Sequence, residues 1–371
     1  MSDRNGRLIM PLIKKAGSIV VRSLTPNRPH HAQWMITRKC NYRCRGCNVW
    51  QEQDQNELSS SEIKKGLDIL KDLGVMEIVL SGGNPLLRQD ADEIIEYASK
   101  LFITTVYDNG SMAARKIKAL RNADFVAISI DSLNPTKNDF IRGVKGAWKQ
   151  AMNTVWELQK EGIRVGVAPT ISQANMNEIV ELTTWFLKKN IPVWYSLYSY
   201  DTCQSRQQLF KIGKQSDEFA ITDMEGMVNL CDSISELKKK SGLVLITDKI
   251  LDAVKTLYAE NRRTWKCKAL QNFLIIDHLG RVAGCHLRDP VGSIFDLPDV
   301  WNSKRLDNLR ESYNHCTHCT YLCYIFYSVH GTVSGNLQIV RERWKSAPFL
   351  IRKGRTKTPS QEAQKASSRL S

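Results

Sequence analysis

Eight of the ten cysteines in this 371-residue chain fall into two clusters, which marks them as candidate metal ligands. The clustered residues are Cys40, Cys44 and Cys47, then Cys267, Cys285, Cys316, Cys319 and Cys323. The N-terminus lacks the continuous apolar core of a secretory signal, so we expect a cytoplasmic chain with reduced thiols. In that compartment, clustered cysteines indicate metal ligands rather than disulfide partners.

The first cluster occupies a single loop with the spacing C-x3-C-x2-C. Three thiolates on one short loop can bind three irons of a cubane and leave the fourth iron without a protein ligand. A structural zinc ion would normally need a fourth protein ligand, and thiols with a purely structural role are the remaining alternative. The spacing therefore favours an open [4Fe–4S] cluster but leaves zinc as an alternative.

The second cluster has the spacing C-x12-G-x4-C, followed by C-x2-C and one more cysteine. Two short apolar segments, 273–276 and 281–283, flank a turn that ends in glycine and predict a β-hairpin. The hairpin would bring Cys267 and Cys285 to one end. Structural zinc is the alternative here, with three histidines nearby as further ligands: His286, His315 and His318. The two isolated cysteines, Cys203 and Cys231, are expected to be buried small residues.

Between residues 33 and 200 the sequence alternates β-rich apolar segments with longer helical ones. The predicted strands are 33–37, 76–81, 102–107, 125–130, 164–170 and 192–198. The predicted helices are 61–73, 91–101, 113–121, 146–161 and 175–189. Strands and helices that alternate in this way favour a parallel sheet with right-handed crossovers. We therefore predict an α/β fold, a partial (β/α)6 TIM-like barrel whose active site lies at the carboxyl edge of the strands.

The chain divides by composition into four parts. Residues 1–32 form a basic amphipathic segment and linker, 33–245 the barrel, 246–347 a small Cys-rich α+β module, and 348–371 a basic tail that we expect to be disordered. Residues 7–24 predict an amphipathic helix that either packs on the protein or contacts a membrane surface. No apolar run is long enough to span a bilayer, so any membrane contact would be peripheral.

The charge balance indicates an anionic partner. Lys and Arg number 53 against 38 Asp and Glu, which gives a net charge of +15. Such a partner is a substrate, a membrane surface or nucleic acid. The basic residues are scattered, and no RRM, KH or helix-turn-helix signature is present. A zinc-stabilised nucleic-acid-binding protein is therefore the weaker hypothesis.

Three motifs at strand ends resemble the radical S-adenosylmethionine (SAM) superfamily over about residues 33–200. They are the cysteine loop, Ser81-Gly82-Gly83-Asn84-Pro85 and Ile128-Ser129-Ile130-Asp131. The resemblance implies that the three loop cysteines bind a [4Fe–4S] cluster whose open iron is chelated by SAM. It also implies an external electron donor such as flavodoxin or ferredoxin, and cleavage of SAM to a 5′-deoxyadenosyl radical.

The same resemblance implies a set of residues that contact SAM. They are Tyr42, Gly82, Gly83, Asn84, Pro85, Asn109, Ser129, Asp131 and Arg142. Ser129 and Asp131 are two apart on a predicted strand and would share a face. Arg142 is expected to pair with a carboxylate.

Two positions depart from the family pattern. Asn84 replaces a glutamate, so we expect a weaker grip on the methionyl ammonium, and Asn84→Glu should preserve or strengthen SAM binding. Gly46 replaces an aromatic residue that would pack on the adenine, and Tyr42 or Val49 is expected to take its place.

The second cluster resembles SPASM, or its shortened Twitch form, an auxiliary-cluster extension found behind many radical SAM cores. A full SPASM has seven cysteines and two clusters, whereas this part of the chain has five cysteines. The resemblance implies one auxiliary [4Fe–4S] cluster on Cys267, Cys285, Cys316 and either Cys319 or Cys323.

Together these resemblances imply an enzyme whose 5′-deoxyadenosyl radical abstracts hydrogen from a substrate or adds to it. A lipid or an anionic small molecule agrees with the basic charge and the amphipathic segment, and a peptide-modifying maturase is the alternative. Tyr198 and Tyr200 share a face at the end of the sixth predicted strand. They either contact the substrate or pack in the core.

Overall fold

The computed structural model describes residues 27–51, 56–201, 209–210, 212–316, 319–330, 338 and 341–342. The strands in these residues are β1 (His31–Thr37), β2 (Glu77–Gly82), β3 (Ile103–Asp108), β4 (Phe125–Ile128), β5 (Val165–Val167), β6 (Thr170–Ile171), β7 (Ser196–Leu197), β8 (Phe273–Ile276), β9 (Arg281–Ala283) and β10 (Gly292–Ser293). The α-helices are α1 (Ser60–Leu73), α2 (Ala91–Leu101), α3 (Ile117–Leu120), α4 (Pro135–Arg142), α5 (Ala147–Lys160), α6 (Ile179–Leu187), α7 (Met224–Lys240), α8 (Asp248–Glu260), α9 (Leu297–Val300), α10 (Lys304–Asn314) and α11 (Leu322–Val329).

One mostly parallel sheet organises the molecule. Its strand order is β10-β9-β8-β1-β2-β3-β4-β5, and every neighbouring pair from β8 to β5 is parallel. On β3, Val106 and Asp108 are buried, whereas Thr105 and Tyr107 are half-buried. Because side chains alternate across a strand, the half-buried set faces the concave side of the sheet, here called the lumen. The predicted TIM-like α/β fold is confirmed, with helices packed on the convex side.

Regular pairing gives way beyond β5, so the barrel is partial. β6 and β7 form a separate parallel pair of two residues each. Single bridges join Val167 to Val193 and Val193 to Val244. The predicted strands 164–170 and 192–198 are therefore broken. Pro169 and Pro192 contribute to the break, because proline has no backbone N–H to donate to a ladder.

Most other element predictions agree with the structure. Helix α2 and strands β8 and β9 have the predicted bounds. The predicted strand 125–130 ends at Ile128. The predicted helix 113–121 is a 3-10 turn, Ala113–Arg115, followed by α3, and the predicted helix 175–189 opens with a second 3-10 turn, Met176–Glu178.

The C-terminal hairpin extends the barrel sheet, which the sequence analysis did not predict. β8 pairs with β1 in parallel, with His31 opposite Phe273. β9 then returns antiparallel to β8. Cys267 precedes β8 and Cys285 follows β9, so both lie toward the amino end of β8, whereas Cys40 follows the carboxyl end of β1. The hairpin also covers an edge of β1 that would otherwise be open to pairing with another chain.

The Trp34 side chain on β1 packs against helix α1 and forms a hydrogen bond with the hairpin. Its side chain is fully buried, and Nε1 donates to the carbonyl oxygen of Asp277 at 3.0 Å. A Cβ on Gly66 of α1 would lie 2.4 Å from the Trp34 ring, so only glycine leaves room for the indole. Helix α1 begins at a capping box formed by Ser59 and Glu62, which fixes its start and hence the position of Gly66.

Several sequence predictions fall on residues that the structure does not describe. They include the amphipathic segment 7–24, the basic tail 348–371, Cys203 and His318. Cys231 is buried in α7, as expected of a small core residue. Among the described residues, no helix is long and apolar enough to cross a bilayer.

We expect Gly66→Ala to destabilise the protein by about 1–3 kcal/mol, because the added Cβ overlaps the Trp34 ring. Helix propensity alone predicts the opposite sign, a gain of roughly 0.5–1 kcal/mol. Urea unfolding measures the difference. Lys65→Ala, at an exposed position of the same helix, is the control and should be nearly neutral. A more stable Gly66→Ala protein would contradict the packing described for Trp34.

Candidate functional site

The first cysteine cluster lies on a loop, residues 40–47, directly after β1. All three cysteines are partly exposed: Cys40, Cys44 and Cys47. Backbone hydrogen bonds hold the loop from both sides. The Asn84 N–H donates to the Lys39 carbonyl at 2.8 Å, and the Arg45 N–H donates to the Ile141 carbonyl at 3.0 Å. The end of β2 and the end of α4 therefore fix this cysteine loop at the carboxyl edge of the sheet.

Two glycines permit this close approach. A Cβ on Gly83 would lie 2.3 Å from the Lys39 carbonyl oxygen. Gly143 has a φ of 64°, and a Cβ there would lie 2.0 Å from the Arg43 carbonyl oxygen. Gly82 and Gly83 are partly exposed at the mouth of the lumen. Part of their backbone is therefore accessible, and Gly83 also lets the end of β2 pack closely against the cysteine loop.

An amide network joins the cysteine loop to the ends of β2 and β3. The Asn84 Nδ2 donates to Asp108 Oδ1 at 2.8 Å and to Asn109 Oδ1 at 3.0 Å. The Asn109 Nδ2 donates to Asn41 Oδ1 at 2.9 Å, and the Asn41 Nδ2 donates to Ser111 Oγ at 2.8 Å. The sequence analysis missed Asn41, Asp108 and Ser111, because their partners come from separate loops and no spacing links them.

Asn84 has a positioning role in this network. Its side chain is fully buried, and Oδ1 accepts a hydrogen bond from the Leu86 N–H at 3.0 Å. The structure thus gives Asn84 internal partners, in place of the direct ammonium contact that the resemblance implies. Pro85 is buried beside it, at the first position of a 3-10 turn.

The Asp108 carboxyl is the anionic partner of Asn84. Burial raises the pKa of Asp108, while N–H groups of Ala113, Met112 and Gly110 and the Asn84 amide oppose this rise. A glutamate at position 84 would bring a second carboxylate against Asp108. The structure therefore reverses the sequence-based expectation for Asn84→Glu.

Tyr42 anchors the cysteine loop to the helical layer. It is 2% exposed, and its hydroxyl donates to Gln150 Oε1 of α5 at 3.0 Å. Val49, the other residue expected to replace the missing aromatic ring, is also buried. Neither side chain offers a free face to an adenine. This corrects the expectation for both residues.

Aromatic rings from another part of the chain cover Gly46 instead. A Cβ on Gly46 would lie 2.9 Å from Tyr198 Cε2 and 3.4 Å from Phe219 Cγ. The Tyr198 hydroxyl donates to Asp217 Oδ2 at 2.5 Å, and the ring is buried. Tyr198 is therefore a packing residue over the cysteine loop rather than an open substrate contact. Tyr200 packs against the same group but keeps some exposure.

A buried ion pair adjoins the cysteine loop. Arg142 Nε lies 2.7 Å from Asp131 Oδ2, which confirms the expected pairing of Arg142 with a carboxylate. Asp131 Oδ1 also accepts the Thr170 N–H at 2.8 Å. Burial raises the pKa of the Cys44 thiol, and the Arg142 charge opposes that rise. Asp131, 2% exposed, orients a cation that favours thiolate at this loop.

Ser129 is partly exposed, and its N–H donates to the Asp108 carbonyl at 3.0 Å. Because β4 ends at Ile128, Ser129 and Asp131 do not share a strand face as predicted. Among the residues expected to contact SAM, several keep exposed surface at the mouth: Gly82, Gly83, Ser129 and Arg142. Asn109 is buried within the amide network, with 9% of its surface exposed.

Four thiols of the second cluster influence one another: Cys267, Cys285, Cys316 and Cys319. Burial raises the pKa of Cys319 to about 12, and the neighbouring Cys267 and Cys316 thiols contribute. Burial also raises the pKa of Cys285, and Cys319 is the thiol that contributes most. Burial without a contribution from another thiol raises the pKa of Cys323 to about 11. Cys319 thus has thiol neighbours that affect its pKa, whereas no other thiol affects that of Cys323.

Tyr321 lies between the two cysteine clusters. Burial raises its pKa, and Cys323, Cys47 and Cys319 raise it further. One phenol therefore lies near a thiol of each cluster. Burial also raises the pKa of Tyr107 on β3, and the Cys323 thiol raises it further. Cys323 consequently lies toward the lumen rather than within the four-thiol set.

Aromatic side chains form one wall of the lumen. Trp194 Nε1 donates to the Tyr107 hydroxyl at 2.7 Å. The Trp194 ring stacks on Phe125 with 4.5 Å between centroids. Trp194 and Tyr107 are only partly buried, so this aromatic wall, consisting of Tyr107, Phe125 and Trp194, presents ring surface to a ligand.

The histidines near the second cluster have other partners or positions. His286 is buried and stacks on Phe210, and burial lowers its pKa to about 3. His315 is exposed and lies 3.0 Å from Glu311 Oε1. Among the described residues, no three metal-binding side chains are close enough to hold a single ion. A zinc ion draws its ligands within about 2.3 Å of one point, whereas the thiolates of a cubane bind different irons. The all-thiolate donor set of each cysteine cluster suits an iron–sulfur cluster.

Comparison with protein-family models agrees with this donor chemistry. Residues 34–186 match the radical SAM superfamily, and residues 267–320 match the iron–sulfur cluster-binding domain SPASM. The second match ends after Cys319 and does not include Cys323.

Relatives that match across most of the chain include two different kinds of protein. The antilisterial bacteriocin subtilosin biosynthesis protein AlbA of Bacillus subtilis is 26% identical over 289 residues, 73% of this chain and 60% of AlbA. The AdoMet-dependent heme synthase of Oleidesulfovibrio alaskensis is 25% identical over 325 residues, 81% of this chain and 79% of that protein. Two further relatives, each 35% identical to this chain over the matched residues, are matched over only 41% and 38% of their own lengths.

The fold also resembles that of solved structures. Streptococcus suis SuiB bound to S-adenosylmethionine superimposes with a TM-score of 0.61, covering 84% of this chain and 74% of SuiB. The sequences are 16% identical, so this likeness concerns the fold.

We expect Asn84→Asp to destabilise the protein by about 3 kcal/mol at neutral pH, because it places two carboxylates together in the core. Adding Asp108→Asn should recover most of the loss, since the donor and acceptor are exchanged rather than removed. Two adjacent carboxylates raise the pKa of the pair in the folded protein above its value in the unfolded chain. The loss of stability should therefore shrink as the pH falls through the folded-state pKa. Urea unfolding at neutral and acid pH tests this. An Asn84→Asp protein as stable as its parent would show that the amide network does not hold the loop.

Proposed function

This chain belongs to the radical SAM superfamily and carries a SPASM domain, and from this premise we propose an enzyme that removes hydrogen from a substrate held in the lumen between two iron–sulfur clusters. The observation that carries the proposal is the parallel pairing of β8 with β1, which places the cysteine loop and the second cysteine cluster on one sheet. When bound, the first cluster and SAM supply the 5′-deoxyadenosyl radical, and an auxiliary cluster supplies an electron acceptor.

We assign the first cluster to Cys40, Cys44 and Cys47, and the auxiliary cluster to Cys267, Cys285, Cys316 and Cys319. The mutual proximity of the second set supports Cys319 as its fourth ligand. Cys323 then remains a buried thiol beside the lumen.

The residues around the cysteine loop have distinct roles in this proposal. The backbone of Ser81, Gly82 and Gly83 is exposed at the mouth and can accept hydrogen bonds from an ammonium group. Arg142, held by Asp131, offsets the negative charge of the loop thiolates. The aromatic wall excludes water from the lumen, where a carbon radical would otherwise react without selectivity.

The substrate that best fits the described lumen is an anionic molecule with a planar apolar part. Ring stacking on Trp194 favours a flat conjugated surface. The net charge of +15 favours carboxylates. We therefore propose a carboxylated tetrapyrrole, in agreement with the match to a heme synthase over most of the chain.

A peptide is the second candidate substrate. The match to AlbA, a bacteriocin biosynthesis protein, covers 73% of this chain. Loss of two hydrogens from an acidic peptide upon incubation with SAM and reductant, with no change in a porphyrin, would favour this candidate. The lipid hypothesis depends on residues 7–24, which lie outside the described part of the chain, and we do not pursue it.

Reduction of the first cluster requires an external one-electron donor. Flavodoxin or ferredoxin is the donor class that we propose. Peripheral membrane contact through residues 7–24 stays a prediction, because the described residues do not include that segment.

We expect anaerobically reconstituted protein to bind about eight irons per chain, two cubanes. Cys40→Ala/Cys44→Ala/Cys47→Ala should retain about four irons and release no 5′-deoxyadenosine from SAM. Cys319→Ser should lose about four irons, whereas the matched variant Cys323→Ser should lose none. Iron analysis and chromatography of the reaction products measure these outcomes. SAM cleavage by the triple variant would refute the enzyme proposal, and iron loss in Cys323→Ser alone would refute the ligand assignment.

We expect Fe-coproporphyrin III to bind to the holoenzyme with saturable quenching of tryptophan fluorescence. Trp194→Ala should weaken this binding about tenfold, a change of about 1.4 kcal/mol, because it removes a stacking surface from the lumen. Trp185→Ala, which removes an indole from helix α6 outside the sheet, is the control. Equal affinity of the Trp194→Ala and Trp185→Ala proteins would contradict the tetrapyrrole proposal.

A further inference from the structure

The second cysteine cluster contains a buried hydroxyl group that has no hydrogen-bond partner. Tyr313 lies in the last turn of α10 and is 1% exposed. Within the described part of the chain, its hydroxyl oxygen makes no hydrogen bond. Buried hydroxyls nearly always have partners in native proteins, so this one requires an explanation.

The position of the Tyr313 ring is tightly specified. A Cβ on Gly284 would lie 2.8 Å from Tyr313 Cζ, the ring carbon that bears the hydroxyl. The ring therefore passes directly over the backbone next to Cys285. The backbone of Tyr313 also contacts a cysteine of this cluster, because its carbonyl accepts a hydrogen bond from the Cys316 N–H at 3.0 Å.

The surroundings of the hydroxyl are thiols. Burial raises the pKa of Tyr313, and the Cys285, Cys267 and Cys316 thiols raise it further. Arg288 lies over the ring, 5.4 Å from its centroid. The Tyr313 ring, which packs on the backbone next to Cys285, is thus in the neighbourhood of three of the four cysteines assigned to the auxiliary cluster.

Thiol sulfur is a weak hydrogen-bond acceptor. Thiolate and inorganic sulfide, in contrast, carry negative charge and accept hydrogen bonds from O–H groups strongly. A donor without a partner among thiols is therefore the arrangement expected of a protein that binds an anionic iron–sulfur cluster at this site.

We propose that the Tyr313 hydroxyl donates a hydrogen bond to the auxiliary iron–sulfur cluster and raises its reduction potential. This inference rests on the ligand set assigned under the proposed function. Reduction adds one electron to the cluster and makes its sulfurs more negative, so a hydrogen bond to sulfur stabilises the reduced state more than the oxidised state. The cluster then accepts an electron more readily.

Arg263 adds positive charge to the same surroundings. Its guanidinium donates to the Cys316 carbonyl. Burial raises the pKa of Cys267 and Cys319, and the Arg263 charge opposes that rise in both. A cation and a hydroxyl donor together compensate the charge that four thiolates bring to this site.

The test uses full-length Cys40→Ala/Cys44→Ala/Cys47→Ala protein, in which the auxiliary cluster is the only cluster expected. Adding Tyr313→Phe removes one oxygen atom and keeps the ring. We expect about four irons to remain and the reduction equilibrium to shift about tenfold toward the oxidised cluster, which is about 59 mV for one electron. A redox titration followed by electron paramagnetic resonance measures this shift.

Tyr195→Phe is the matched control in the same background. It removes a buried hydroxyl that lies 2.9 Å from Thr183 Oγ1 and does not adjoin a cysteine. It should leave the reduction potential unchanged. Equal potentials for Tyr313→Phe and its parent would overturn the inference.

Stability of the metal-free protein separates the proposed role from simple packing. Without a cluster, Tyr313→Phe should unfold at the same or higher urea concentration than its parent, because an unpaired buried hydroxyl has been removed. A loss of stability without a shift in potential would assign Tyr313 to packing alone. If the triple variant instead holds no iron, or holds zinc, the ligand assignment fails, and that result is distinct from a failure of the Tyr313 inference.

Discussion

The parallel pairing of β8 with β1 is the contact on which the rest of the site depends. β1 leads into the loop that carries Cys40, Cys44 and Cys47, and the β8–β9 hairpin carries the second cysteine cluster. Four residue pairs between these strands, strengthened by the Trp34 hydrogen bond to Asp277, set the separation of the two clusters. Because the hairpin reverses direction, the second cluster lies toward the amino end of β8, and the lumen lies between the two. Separate packing of two domains would fix this separation less firmly than a shared sheet does.

Buried polar groups determine the detailed shape of the cysteine loop. Hydrogen bonds link the side chains of Asn41, Asn84, Asn109 and Asp108, so the loop and two strand ends form one hydrogen-bonded unit. The substitution of asparagine for the family's glutamate is consistent with the carboxylate on the next strand. A carboxyl group is retained near the site but is contributed by β3 instead of β2. A comparison of single motifs would record only a loss of charge at position 84.

The sequence predicted the order of strands and helices and the chemistry of the cysteines well, because both follow from local periodicity and spacing. It could not predict that the hairpin joins the barrel sheet, since pairing between residues about 240 positions apart leaves no local pattern. Side-chain burial was equally inaccessible. Tyr42 and Tyr198 were candidate contacts by position, yet each hydroxyl is held by a partner distant in sequence and each ring is buried. The choice of Cys319 over Cys323 also depended on orientation rather than spacing. Tyr313 was missed because its significance lies in a partner that is lacking among the described residues.

The uneven pairing around the barrel has a consequence for its mechanics. From β8 to β5 the strands form continuous ladders, but Val193 is joined to its neighbours by single bridges on both sides. Backbone amides in the ladders are expected to exchange with deuterium only in rare global opening, whereas those near Val193 should exchange through smaller local fluctuations. The cysteine loop follows β1 within the continuous ladders. Trp194 of the aromatic wall follows Val193, where only single bridges hold the chain. Widening of the lumen beside Trp194 is therefore expected to cost less free energy than displacement of the cysteine loop.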